Sequence, residues 1–160
     1  MAKLRVGING FGRIGRLVMR AGINHPDIEF VGINDLVPAE TLAYLFKYDS
    51  THDRFAGTVE AQANRIVVNG TAIACLSVRD PAELPWQELQ VDYVVESTEL
   101  FQHYAAALNH IHAGAKRVIL TAPAKDPDQV KTLLMGINQH KFDPKQDAIV
   151  SNASCTTIRL

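Results

Sequence analysis

The stretch that most constrains this chain is Lys3 to Arg16, KLRVGINGFGRIGR. Leu4, Val6 and Ile8 alternate with polar or small residues, as in a short strand. The run leads directly into Gly10-Phe11-Gly12-Arg13-Ile14-Gly15, a G-x-G-x-x-G that opens an apolar segment of helical period. In such a turn Gly10 permits the tight bend, Gly12 lets the backbone approach a pyrophosphate, and Gly15 lets the helix pack close to the strand. The free N–H groups of the helix start then favour an anion. A second predicted strand, Phe30 to Asn34, ends at Asp35, about twenty residues beyond the last glycine, where a carboxylate can accept from both ribose hydroxyls of an adenine nucleotide.

The rest of the pattern extends this unit. Ile14, Leu17, Val18 and Ala21 are the expected buried face of a helix over 13–24, stopped by Asn24-His25-Pro26. Pro38 opens a second helix with Leu42, Leu45 and Phe46 on one face. Arg65 to Val68 and Thr71 to Leu76 flank Asn69-Gly70, a hairpin signal, because both turn residues tolerate positive φ. Asp80-Pro81 caps a short helical piece ending near Trp86. Tyr93 to Ser97 reads as a strand, Tyr104 to Ala113 as a helix closed by Gly114, and Val118 to Thr121 as a strand buried on both faces. Leu133-Leu134-Met135 and Ala148-Ile149-Val150 read as further strands. Strands separated by helical patterns predict an α/β, Rossmann-type doubly wound sheet, mainly parallel, with one antiparallel hairpin insertion. The 160 residues make one domain with no internal boundary.

Composition narrows the setting. A formal charge of -1 gives no electrostatic reason to expect nucleic acid or an acidic membrane as partner. No apolar run reaches the roughly 20 residues that span a bilayer, and no signal-peptide pattern opens the chain, so the cytoplasm is expected. With only Cys75 and Cys155, no disulfide framework and no metal site are expected. Cys155 lies in Ser151-Asn152-Ala153-Ser154-Cys155-Thr156-Thr157, directly after a predicted strand, where a helix start would favour thiolate. It is the candidate nucleophile; Cys75, within a hairpin strand, reads as inert.

Taken together, GINGFGRIGR, the IND of Ile33 to Asp35, KYDSTH of Lys47 to His52, VVEST of Val94 to Thr98, APAKD of Ala122 to Asp126 and SNASCTT of Ser151 to Thr157 closely resemble the phosphorylating, glycolytic glyceraldehyde-3-phosphate dehydrogenases. The resemblance covers nearly the whole chain and corresponds to the N-terminal, cofactor-binding half of that enzyme. It implies NAD as cofactor, with Gly10, Gly12 and Gly15 in the turn, Arg13 and Ile14 offering backbone N–H groups to the pyrophosphate, and Asp35 holding the ribose. It further implies Arg79 and Thr98 beside the adenine end and Thr121 on the nicotinamide side. Cys155 would attack the aldehyde carbon of glyceraldehyde 3-phosphate; hydride loss to NAD would leave a thioester, which inorganic phosphate cleaves to an acyl phosphate. The Cys155 N–H would help bind the oxyanion, and Ser154 and Thr156 would donate to phosphate.

The family pattern also has glycine where Glu99 and Asp53 stand and serine where Thr121 stands. Its histidine base, its substrate-phosphate arginine and most of its tetramer interface would lie beyond Ile158-Arg159-Leu160, so the chain alone is expected not to turn over. The alternatives are a non-catalytic nucleotide-binding module that pairs with full-length subunits, and an erythrose-4-phosphate dehydrogenase-like enzyme. His25, His52, His103, His110, His112 and His140 match no catalytic position and read as solvated helix or loop residues.

Overall fold

A computed structural model describes residues 2–154 and 156. The elements run β1 (Leu4–Asn9), α1 (Arg13–Gly22), β2 (Ile28–Asn34), α2 (Ala39–Lys47), β3 (Val59–Gln62), β4 (Arg65–Val68), β5 (Thr71–Leu76), β6 (Tyr93–Glu96), α3 (Tyr104–His112), β7 (Arg117–Leu120), β8 (Lys131–Thr132) and β9 (Ile149–Ser151). The described strands form one sheet in the order β3-β4-β5-β2-β1-β6-β7-β9-β8. All pairs are parallel except β3 with β4 and β4 with β5. The expected doubly wound sheet with an antiparallel insertion is therefore the observed fold, and Asn69 (φ 50°) and Gly70 (φ 82°) make the expected positive-φ turn between β4 and β5.

Period-two alternation sends neighbouring residues to opposite faces, which builds two cores. Ile8, Ile33 and Val95 pack on one side with Met19 and Phe46; Val31, Val94 and Val118 pack on the other with Trp86 and Ala107. Gly7 and Gly32 are register partners and together make a floor for Trp86. A Cβ at Gly7 would stand 2.9 Å from the indole, and one at Gly32 would stand 2.9 Å from Leu89 and 3.3 Å from the indole. Two glycines abreast in central strands, a poor choice by strand propensity, thus let the largest side chain pack fully buried against the sheet.

Two expectations are corrected. The buried residues of α1 are Gly15 and Met19, whereas Ile14 is 43% exposed and Ala21 is exposed. This helix begins over the carboxyl edge of the sheet, so its first turn faces outward, and it meets β1 through its smallest residue. Leu133 to Met135 is not a strand: pairing ends at Thr132. The Leu134 N–H donates to the Asn138 side chain at 2.7 Å, and Gly136 has φ 85°. The chain therefore turns off the sheet, leaving Met135 82% exposed. No helix among the described residues is long and apolar enough to cross a membrane.

Two carboxylates outside the regular elements accept backbone N–H groups from neighbouring ones. Asp92, just before β6, accepts the Arg5 N–H at 2.9 Å and Lys116 Nζ at 2.6 Å. The backbone donor, then the ammonium, hold its carboxyl below the usual carboxylate range. Asp126 is lowered in the same way, chiefly by the Tyr104 N–H at the start of α3. A pKa lower in the folded than in the unfolded chain stabilises the fold above the unfolded value of about 4, and that contribution is lost as pH falls through the folded value. We expect urea unfolding at pH 7 and pH 3 to show a stability loss at the acid end that is smaller in Asp92→Asn than in the unmodified chain.

Candidate cofactor site

The order β5-β2-β1-β6 reverses direction at β1, so the connections from β1 to β2 and from β1 towards β6 leave in opposite senses and open a crevice at the carboxyl ends of these strands. A cleft of about 470 Å³ lies there. Its walls include Gly10, Gly12, Asp35, Arg79 and Thr98, so five of the residues singled out in the sequence converge on one site.

The glycine turn is sterically determined. Gly10 has φ 88°, and a Cβ on it would lie 2.8 Å from the Thr98 nitrogen. Its N–H donates to the Asn34 carbonyl at 2.9 Å, and its own carbonyl accepts the Ser97 hydroxyl at 2.6 Å. A Cβ on Gly15 would lie 2.3 Å from that same carbonyl, which is how closely α1 approaches the turn. A Cβ on Gly12 would meet nothing within 4 Å, since this residue faces the open cleft. The earliest backbone bond of α1 runs from Arg16 N–H to the Gly12 carbonyl at 3.1 Å, so the N–H groups of Arg13, Ile14 and Gly15 lack an intrahelical partner. Arg13 and Ile14 are exposed but are not in the cleft lining.

Asp35 follows β2 directly. Its Oδ2 accepts the Phe11 N–H at 2.8 Å, which pins the carboxylate onto the glycine turn, and its own N–H donates to Leu76 at 3.0 Å. Arg79, exposed, stands on the segment after β5. Thr98 directs both its N–H (2.9 Å) and its hydroxyl to Glu96 Oε1, and the hydroxyl accepts the Leu100 N–H at 3.1 Å. Glu99 beside it has φ 62°, as has Asp53, the left-handed region that disfavours a side chain.

Thr121 is not in the cleft lining; it follows β7 and turns its N–H (3.1 Å) and hydroxyl (3.2 Å) to the Glu96 carbonyl. Ser154 and Thr156 are brought together, their hydroxyl oxygens 2.9 Å apart, on the segment after β9. Cys155 lies outside the described residues. Ala153, buried, has φ 60° and donates to the Ser151 hydroxyl at 3.0 Å, so the chain bends sharply immediately before this segment. Cys75 is half-buried on β5, where burial pushes its thiol up to about 11, in line with an inert cysteine.

Sequence reading missed a row of buried polar residues, Asn34, Asn9 and Glu96, which end β2, β1 and β6 and are register partners across the sheet. Each terminates an apolar run with a polar residue, and that was the available signal. One histidine expectation is also corrected. His25, His52, His103, His112 and His140 are exposed, but His110 is fully buried between Trp86 and Glu96. On α3 it shares the inward face with Ala107 rather than the solvated one.

A family model described as the NAD binding domain of glyceraldehyde 3-phosphate dehydrogenase matches residues 4–104. The chain is 67% identical over 157 residues to glyceraldehyde-3-phosphate dehydrogenase 1 of Trichormus variabilis, covering 98% of this chain and 46% of the relative. It is 56% identical over 154 residues to the cytosolic glyceraldehyde-3-phosphate dehydrogenase of Trypanosoma brucei brucei and 54% identical over 154 residues to the glyceraldehyde-3-phosphate dehydrogenase of Geobacillus stearothermophilus. Each of these alignments covers 96% of this chain and 45% of the relative, so the chain spans about half the length of the curated relatives it matches.

The contacts at the turn distinguish its glycines. We expect Gly15→Ala to lose about 1–3 kcal/mol, because backbone rather than a flexible side chain must give way, and Gly12→Ala to stay within about 0.5 kcal/mol of the unmodified chain. Thermal or urea unfolding of the two variants checks both.

Proposed function

We propose that this chain, which belongs to the glyceraldehyde 3-phosphate dehydrogenase family and carries its NAD-binding domain, holds NAD in the cleft at the carboxyl ends of β2, β1 and β6. The observation that carries this reading is the Asp35 carboxylate pinned to the glycine turn by the Phe11 N–H, with Arg79 and Thr98 on the walls of the same cleft. The fit rests on backbone that a Cβ would fill at Gly10 and Gly15 and on open space over Gly12. In this reading residues 1–160 form a single nucleotide-binding domain.

The roles follow from chemistry. The free oxygen of Asp35 accepts from the ribose hydroxyls, and the first-turn N–H groups of Arg13 and Ile14 meet the pyrophosphate, where the helix dipole favours negative charge. Arg79 and Thr98 flank the adenine end. A 2′-phosphate would bring a second anion against Asp35, which disfavours NADP. When bound, NAD supplies a hydride acceptor. For the whole enzyme we carry over the reaction in the relatives' name, the oxidation of glyceraldehyde 3-phosphate. Cys155 is its nucleophile, its N–H an oxyanion donor, Ser154 and Thr156 the hydroxyl pair for inorganic phosphate, and Thr121 the residue on the nicotinamide side. The cytoplasm is its compartment, by likeness to the relative named cytosolic in Trypanosoma brucei brucei.

Calorimetric titration of the purified chain tests the cofactor reading. We expect NAD to bind at least about tenfold more tightly than NADP, a difference of about 1.4 kcal/mol, and Asp35→Ala to weaken NAD and narrow that difference. A folded chain that binds neither nucleotide would overturn the reading. Glu99→Gly should stabilise the fold by up to about 1 kcal/mol, by relieving the left-handed side chain, and should tighten NAD by removing a carboxylate beside the cleft.

A further inference from the structure

The buried row beneath the cleft has a direction. Glu96 Oε2 accepts from Asn9 Nδ2 at 2.6 Å and faces His110 Nε2 at 2.7 Å, while Oε1 accepts the N–H and the hydroxyl of Thr98. Each carboxylate oxygen therefore has two donors. An indole N–H can only donate, so the 3.0 Å contact of Trp86 Nε1 with His110 Nδ1 leaves that nitrogen as the acceptor and places the ring proton on Nε2, facing Glu96. With Nδ1 accepting from the indole, His110 meets Glu96 as a donor through Nε2.

A carboxylate accepts only, and this sets everything joined to it. Asn9 must present its NH₂ to Glu96 and hence its oxygen to Asn34, whose Nδ2 reaches it at 2.7 Å. Asn34 then has its oxygen turned to the Val78 N–H at 2.8 Å, while its Nδ2 also meets the Val78 carbonyl at 2.8 Å. This two-way clasp holds the residue that precedes Arg79. On the other oxygen, Thr98 is held by main chain and side chain together. From these contacts we infer that Glu96 is the positioning residue of the cleft: its buried carboxylate holds Thr98 directly and, through Asn9 and Asn34, the Val78–Arg79 segment on the opposite wall. The inference rests on the cofactor reading of the cleft, but its mechanical part does not need the nucleotide.

The experiment compares Glu96→Gln, His110→Gln and His110→Leu with the unmodified chain, reading NAD affinity by calorimetry and amide exchange by NMR. A glutamine at 96 must turn its NH₂ either to Asn9 and His110 or to the Thr98 N–H, so donors face donors in both orientations. We expect NAD affinity to fall at least about tenfold in Glu96→Gln, with exchange at Thr98 and Val78 at least about tenfold faster while Ile8, in the core of β1, keeps its protection. A glutamine at 110 still offers one donor and one acceptor, so His110→Gln should stay within about threefold of the unmodified chain, and His110→Leu should behave like Glu96→Gln. Unchanged affinity and unchanged exchange at Thr98 and Val78 in Glu96→Gln would overturn the inference, as would an equal rise at Ile8, which marks general loosening. Should Glu96→Gln fail to fold, the contrast between Gln and Leu at position 110 decides by the same readouts. If the unmodified chain binds no NAD, the cofactor reading falls, and exchange at Thr98 and Val78 still decides whether Glu96 holds the walls.

Discussion

The Gly10 carbonyl occupies the place where the Cβ of residue 15 would otherwise stand, and much of this structure follows from that contact. With no side chain at position 15, α1 descends onto the end of β1, which brings the start of the helix to the turn that lines the crevice. The same carbonyl accepts the Ser97 hydroxyl, which ties the turn to the segment leaving β6. One tight approach thus joins the turn, the helix and the opposite wall of the cleft.

Around this contact the sheet assigns different tasks to its two faces. On the side of α1 and α2 the packing is apolar, with Ile8, Ile33, Met19 and Phe46 fully buried. On the side of α3 the strands end in Asn34, Asn9 and Glu96, and here burial without partners would cost each polar group on the order of 1–3 kcal/mol. The side chains satisfy one another in a directed series, which needs an acceptor-only group at its centre and a neutral imidazole of defined tautomer at its edge. Trp86 supplies the second condition, and the glycine floor of Gly7 and Gly32 gives Trp86 its place. Packing of the largest side chain and orientation of the polar row are therefore one arrangement.

Several loops hold a side chain in the left-handed region. Glu99 and Ala153 adopt positive φ on the loops that follow β6 and β9, and Asp53 does so after α2. An L side chain in the left-handed region costs about 1–2 kcal/mol, so each bend is held by its surroundings. Arg20 provides this for Asp53, donating to its carbonyl at 3.0 Å and to that of Phe46 at 2.6 Å. Ser151 provides it for Ala153, accepting that residue's N–H and donating to the Ala122 carbonyl at 2.8 Å.

What the sequence determined by itself was what short-range chemistry encodes. The strand, glycine turn and helix over 3–22, the carboxylate after β2 and the Asn69-Gly70 hairpin need only neighbouring residues and backbone sterics, and the family motifs lie in contiguous stretches. Tertiary structure decided what distant partners supply. Asn9 and Glu96 are 87 positions apart, and Trp86 and His110 are 24 apart, so no local pattern could distinguish a buried histidine from a solvated one on α3. The buried face of α1 was set by where Gly15 meets the end of β1, whereas the bend at Leu134, against an apolar run that reads as a strand, comes from a side chain only four positions on, Asn138. A parallel sheet brings the ends of remote strands side by side, and the polar row beneath the cleft exists only once they are adjacent.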